Sequence, residues 1–118
     1  MKKITHQENE ALGIVFKLEE ANIKTIVENL PQPLPYTTVA STIKNLEKKG
    51  YIKSRLVGNT NLYSPAITEA EFKKSYMGEI VRGYFDNSYK DVVNFFVEQK
   101  KLSAKELKEI LSMIEKGK

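Results

Sequence analysis

The chain has no cysteine and no tryptophan, and His6 is its only histidine. These absences remove disulfides, thiolate metal sites, cysteine nucleophiles and the histidine-centred machinery of zinc hydrolysis or a serine triad. No apolar run approaches the ~20 residues that a bilayer crossing needs, and the start, MKKITHQENE, has no apolar stretch after its lysines as a secretory signal would. The expectation is a cytoplasmic protein without direct membrane binding, cofactor or metal. Proline is scarce as well: there are four, and three of them fall at 31, 33 and 35, where they interrupt helix.

What is present is enough apolar residue for real cores, 41 % of 118 residues, in one or at most two small domains. The net charge of +4 is unevenly placed. Residues 31–65 hold five Lys/Arg against one Asp/Glu, whereas residues 1–30 and 66–118 nearly balance. A local basic excess of this kind suits a polyanion, although a solvated lysine face would look the same.

Helix signals fill the first fifty residues. Thr5 with Glu8 forms a T-x-x-E capping box, followed by an apolar stripe at Ala11, Leu12, Val15, Phe16 and Leu18. A second helix starts near Asn22 with Ile23, Ile26, Val27 and Leu30 on one side. A third follows Pro35, runs to about Lys49 and is closed by Gly50. At 100° per residue Val39, Ile43 and Leu46 lie together on this third helix. Thr37, Ser41, Lys44, Asn45 and Lys48 lie opposite, with Thr38 and Thr42 flanking. Next, Tyr51–Leu56 and Asn61–Ser64 bracket the turn residues Gly58 and Asn59 and read as a β-hairpin.

Three helices followed by a hairpin is the order of a winged helix-turn-helix, which lays its third helix in the DNA major groove. Short hydroxyls and amides allow close approach and can pair with base edges, while long cationic side chains neutralise phosphates. The expected contacts are therefore Thr37, Thr38, Ser41, Thr42 and Asn45 at bases, Lys44, Lys48, Lys53 and Arg55 at phosphates, and Asn59 in the wing.

After Ala66 the pattern changes to three helices opened by Thr68 with Glu71, Ser88 with Asp91, and Ser103 with Glu106. The middle one, around VVNFFV, is apolar nearly all round, and Glu98–Lys101 reads as a polar break without a cap. About fifty residues make a marginal core, so burial against a second copy of the chain is the economical solution. The expected dimer residues are Phe72, Ile80, Tyr84, Val92, Phe95, Phe96, Leu107, Ile110, Leu111 and Ile114. Overall the sequence reads as mainly α with a small hairpin wing: a winged helix-turn-helix domain over 1–66 and a three-helix dimerisation domain over 67–118.

IKNLEKKGYI at 43–52, NLYSP at 61–65 and VVNFFVEQKKLSAKEL at 92–107 resemble the penicillinase and methicillin-resistance repressors and their copper-responsive relatives, the BlaI/MecI/CopY family. The resemblance covers nearly the whole chain. It implies a dimeric, non-catalytic repressor that binds double-stranded operator DNA as an inverted repeat. It also implies inactivation by a cut at the position matching Asn94-Phe95, within a circuit that contains a membrane sensor metalloprotease. Thr38 and Ser41 match hydroxyl positions of the family's recognition helix, and Gly58, Tyr63 and Pro65 match its wing. Thr37, Asn45 and Asn59 stand where family members typically carry lysine or arginine, and the chain has no Cys-x-Cys tail for copper.

Two other classes fit parts of the sequence. A small-molecule-responsive regulator would need a polar-lined pocket between the domains, with Tyr76, Arg82, Tyr84 and Tyr89 as candidates. A winged-helix protein-interaction module would need no DNA at all. An enzyme would need convergent acids, whereas the carboxylates here sit mostly in first helical turns, where caps and dipoles explain them.

Overall fold

The structure is a computed structural model, described over residues 2–116 with side chains through Met113; the side chain of Ile114 lies outside the described residues. Its elements are α1 (His6–Leu18), α2 (Ile23–Asn29), α3 (Tyr36–Lys48), β1 (Ile52–Val57), β2 (Thr60–Pro65), α4 (Glu69–Phe85), α5 (Tyr89–Glu98) and α6 (Ala104–Lys116). Two compact units divide after Lys73, inside α4. The division falls later than the expected boundary at 66 because Phe72 packs into the first unit, its ring 5.9 Å from Phe16 and 6.0 Å from Tyr51. Phe72 was expected among the dimer residues, and this placement corrects that. Among the described residues no helix is long and apolar enough to cross a membrane.

The first unit closes its own core. Leu12 and Val15 of α1, Ile26 of α2, and Val39, Ile43 and Leu46 of α3 are at most 2 % exposed, and each such burial contributes about 1.5–3 kcal/mol. The capping box at Thr5 is reciprocal: Glu8 N–H donates to Thr5 Oγ1 at 3.1 Å, and Thr5 N–H donates to Glu8 Oε1 at 2.8 Å. Glu8 is itself buried, which the sequence does not signal, and its carboxylate accepts from Lys49 Nζ at 2.7 and 2.9 Å. Burial alone would raise the Glu8 pKa, but Lys49 and the Thr5 bonds outweigh it and hold the carboxyl below its ordinary value of 4.5.

At the end of α3, Gly50 takes φ +86°, its N–H donates to the Glu47 carbonyl, and Tyr51 N–H donates to that of Leu46. This pair of bonds is a Schellman closure, and buried Tyr51 and Leu46 complete it. The closure turns the chain into the antiparallel hairpin, whose register pairs Ile52 with Pro65, Ser54 with Tyr63, and Val57 with Thr60. Gly58, at φ +63°, occupies the first loop position. The α1–α2 connection adds a bridge, Ala21 N–H to Tyr63 carbonyl at 2.9 Å and Tyr63 N–H to Ala21 carbonyl at 2.8 Å. The hairpin is thereby tied to the helices.

In the second unit, α5 packs Phe95 edge-on to Phe85, with centroids 5.8 Å apart. Yet α5 contains no buried residue. The end of α5 is not capless as expected: Lys100, at φ +58°, donates its N–H to the Val97 carbonyl, and Lys101 N–H donates to that of Phe96. This is the same closure as at Gly50, built without glycine. Ser103 and Glu106 form a reciprocal capping box at 3.1 Å each way and start α6.

Candidate nucleic-acid interface

Burial of Val39, Ile43 and Leu46 fixes how α3 is rotated, and the opposite side is left to water. Thr37, Ser41, Lys44, Asn45 and Lys48 are all exposed, and Thr38 is half-buried beside them. At 1.5 Å rise per residue this stripe runs the length of the helix, with three short polar side chains and two lysines on one face. Lys44, Lys48 and Lys53 have no ion-pair partner among the described residues, so their charge is free for a polyanion. The only acid on α3, Glu47, lies off this stripe on the wing side, where it accepts from Ser54 Oγ at 2.6 Å.

Two expected contacts stand elsewhere. Thr42 is buried, and its hydroxyl donates to the Thr38 carbonyl at 3.0 Å; the i−4 carbonyl satisfies it, and it does not reach out to a base edge. Arg55 is engaged too. Its Nε donates to Glu20 Oε2 and its Nη2 to Glu20 Oε1, each at 2.7 Å. Hydrogen bonding to the guanidinium lowers the Glu20 pKa and raises that of Arg55. Neither Glu20 nor this pairing is visible in the sequence.

The wing loop carries Asn59 exposed beside Thr60 and Asn61, with no charge from Leu56 to Asn61. Tyr63, behind it, is buried, and burial raises its phenol pKa, helped by the Glu47 charge and Tyr36. Between the wing and the starts of α2 and α3 opens a concavity of about 400 Å³, to which Lys24 and Tyr36 contribute. Sequence reasoning passed over both, because neither lies on the polar stripe of α3.

Of the expected dimer residues, Ile80, Val92 and Leu107 are half-buried, while Tyr84, Phe95, Phe96, Ile110 and Leu111 are exposed. Asn94 is exposed in the middle of α5. Tyr84 and Tyr89, candidates for a ligand pocket, are 83 % and 62 % exposed.

The sequence profile described as penicillinase repressor matches residues 4–116. The penicillinase repressor of Bacillus licheniformis is 23 % identical over 100 % of this chain and 96 % of its own length. The methicillin resistance regulatory protein MecI of Staphylococcus aureus is 22 % identical over 97 % of this chain and 94 % of its own. Among solved structures, MepR, a transcription regulator of the S. aureus multidrug efflux pump MepA, superposes with a TM-score of 0.54 at 19 % identity, covering 97 % of this chain and 77 % of MepR. A mutant of MepR bound to an oligodeoxyribonucleotide gives 0.53 at 19 % identity, covering 96 % and 76 %. These likenesses show the winged-helix fold.

Proposed function

This chain belongs to the penicillinase repressor family and is a DNA-binding transcriptional repressor, not an enzyme, and we propose that it acts as a homodimer on an inverted-repeat operator and is switched off by proteolysis in α5. The observation that carries the DNA reading is the exposed face of α3, a stripe of Thr37, Ser41 and Asn45 interleaved with the unpaired Lys44 and Lys48. Thr37, Thr38, Ser41 and Asn45 reach base edges. Lys44, Lys48 and Lys53 neutralise phosphates, and Asn59 approaches from the wing.

Dimerisation is supported by what α5 and α6 leave uncovered. Phe95, Phe96, Val97 and Leu111 are 39–55 % exposed, an apolar surface that water disfavours and that an equivalent surface can cover. Two winged units joined in this way are matched by two half-sites about one helical turn of DNA apart, or a multiple of it. Scission between Asn94 and Phe95 would remove α6 and the last turn of α5, and with them the joining surface. Each winged unit would then have to find its half-site separately, at a typical cost of ~10²–10⁴ in overall binding. The scissile bond lies within a helix closed at both ends by hydrogen bonds, so cleavage requires local opening first. Its partner would be a protease, and the family resemblance points to a membrane sensor metalloprotease.

Two measurements test this. Fluorescence anisotropy with a duplex selected by the chain from a random pool should give binding that weakens steeply with salt, and salt-independent binding would refute the interface. Mass spectrometry of the repressor from induced cells should find a fragment ending at Asn94; full-length protein in derepressed cells would refute proteolysis.

A further inference from the structure

The pleat of the wing sorts its residues onto two faces. Cross-strand partners share a face, and neighbours along a strand alternate. Ile52, Ser54 and Leu56 therefore share a face with Pro65, Tyr63 and Asn61, and Lys53, Arg55 and Val57 share the other with Ser64, Leu62 and Thr60. The first face looks toward α3, because Ile52 and Tyr63 enter the core and Ser54 donates to Glu47 of α3.

Arg55 is on the far face. Glu20 meets it there, since Ala21, which bridges Tyr63, is buried on the near side and the residue before it alternates outward. Both carboxylate oxygens are taken by the guanidinium fork. The pair straps the edge strand β1 across β2 to the α1–α2 connection, and a bidentate fork fixes geometry as well as charge.

On the near side the concavity of about 400 Å³ is lined by Lys24, Tyr36, Asn59, Asn61 and Tyr63, among others, and no carboxylate lines it. Its donors are an ammonium, phenols and amides. Lys24 is exposed, has no ion-pair partner among the described residues, and sits in the first turn of α2, where the peptide dipoles disfavour a cation. A donor-rich, acid-free hollow that flanks the groove-reading helix suits a phosphodiester.

We infer that Lys24, not Arg55, is the cation that grips the DNA backbone between the recognition helix and the wing, and that Arg55 is a positioning residue strapped by Glu20 to the far face. The inference rests on the DNA-binding reading above. It assigns a phosphate contact to α2 and leaves the wing tip to meet DNA through neutral side chains.

The test uses the full chain and the duplex that the wild type selects from a random pool, titrated by anisotropy across a salt series. Lys24→Gln should flatten the slope of log affinity against log salt by about one. Arg55→Gln should leave that slope unchanged while weakening binding a few-fold, as the wing loses its strap. Exchanging the partners, Glu20→Arg with Arg55→Glu, should restore wild-type affinity and slope. A slope flattened by about one in Arg55→Gln, with no rescue in the exchanged pair, would overturn the assignment, as would an unchanged slope in Lys24→Gln. If the wild type selects no duplex with salt-dependent binding, the DNA reading itself falls and the inference with it, an outcome distinct from either variant result.

Discussion

The winged unit and the C-terminal unit solve the same problem differently. In the first, α1, α2, α3 and the hairpin enclose eight aliphatic side chains at most 2 % exposed, and a half-buried ion pair joins the buried Glu8 to Lys49. In the second, Val81 is the buried hydrophobic side chain among the described residues, and α5 and α6 leave aromatic and aliphatic side chains in water. Helices of this length are marginal alone, and their stability comes from packing an apolar face. The difference separates a unit that closes its own core from one that leaves an apolar face uncovered, the face that the proposed dimer would bury.

The largest expected effect breaks that interface. Phe96→Asp should leave the winged unit folded, since Phe96 is 39 % exposed. The loss of dimer should weaken operator affinity by ~10²–10⁴, read by anisotropy alongside sedimentation. The matching cut in the winged unit acts on folding instead. Ile43→Ala should destabilise it by about 2–5 kcal/mol in denaturant unfolding, at every protein concentration.

Next in size is the Glu8–Lys49 pair, where Lys49→Met leaves the buried carboxylate without its cation and should cost about 1–3 kcal/mol at neutral pH. The sign in pH follows from the lowered Glu8 pKa. Its stabilisation is fully present above the ordinary 4.5 and is lost as pH falls through the lower folded value. Wild type should therefore lose stability more steeply below pH 4.5 than Lys49→Met, by circular dichroism across a pH series. The smallest effect sharpens the reading of α3. Asn45→Ala should relax preference at one base pair by about 1 kcal/mol, whereas Lys48→Ala should weaken all duplexes alike and flatten the salt slope by about one.

What the sequence made legible were features whose partners lie a few residues apart. Thr5 with Glu8, Thr68 with Glu71 and Ser103 with Glu106 all form reciprocal boxes, because cap and partner are separated by one turn and little else can intervene. The rotation of α3 was legible for the same reason, since three aliphatic residues at helical spacing decide it. Contacts made across the fold were not. Glu8 meets Lys49 41 residues on, and Glu20 meets Arg55 35 residues on, and a lysine or arginine carries no mark of which acid it will face. Thr42 looked like a groove contact because its type suits one, and only packing shows its hydroxyl turned back to Thr38. Lys100 closes α5 in a left-handed conformation that sequence reasoning assigns to glycine.

The claim that the second unit is half of an interface is tested most directly by sedimentation equilibrium of the full chain at micromolar concentration, free of DNA. The expected result is a species of twice the 13.5 kDa chain mass, shifting to single mass in Phe96→Asp. A wild-type chain that sediments as a monomer at low salt would contradict it.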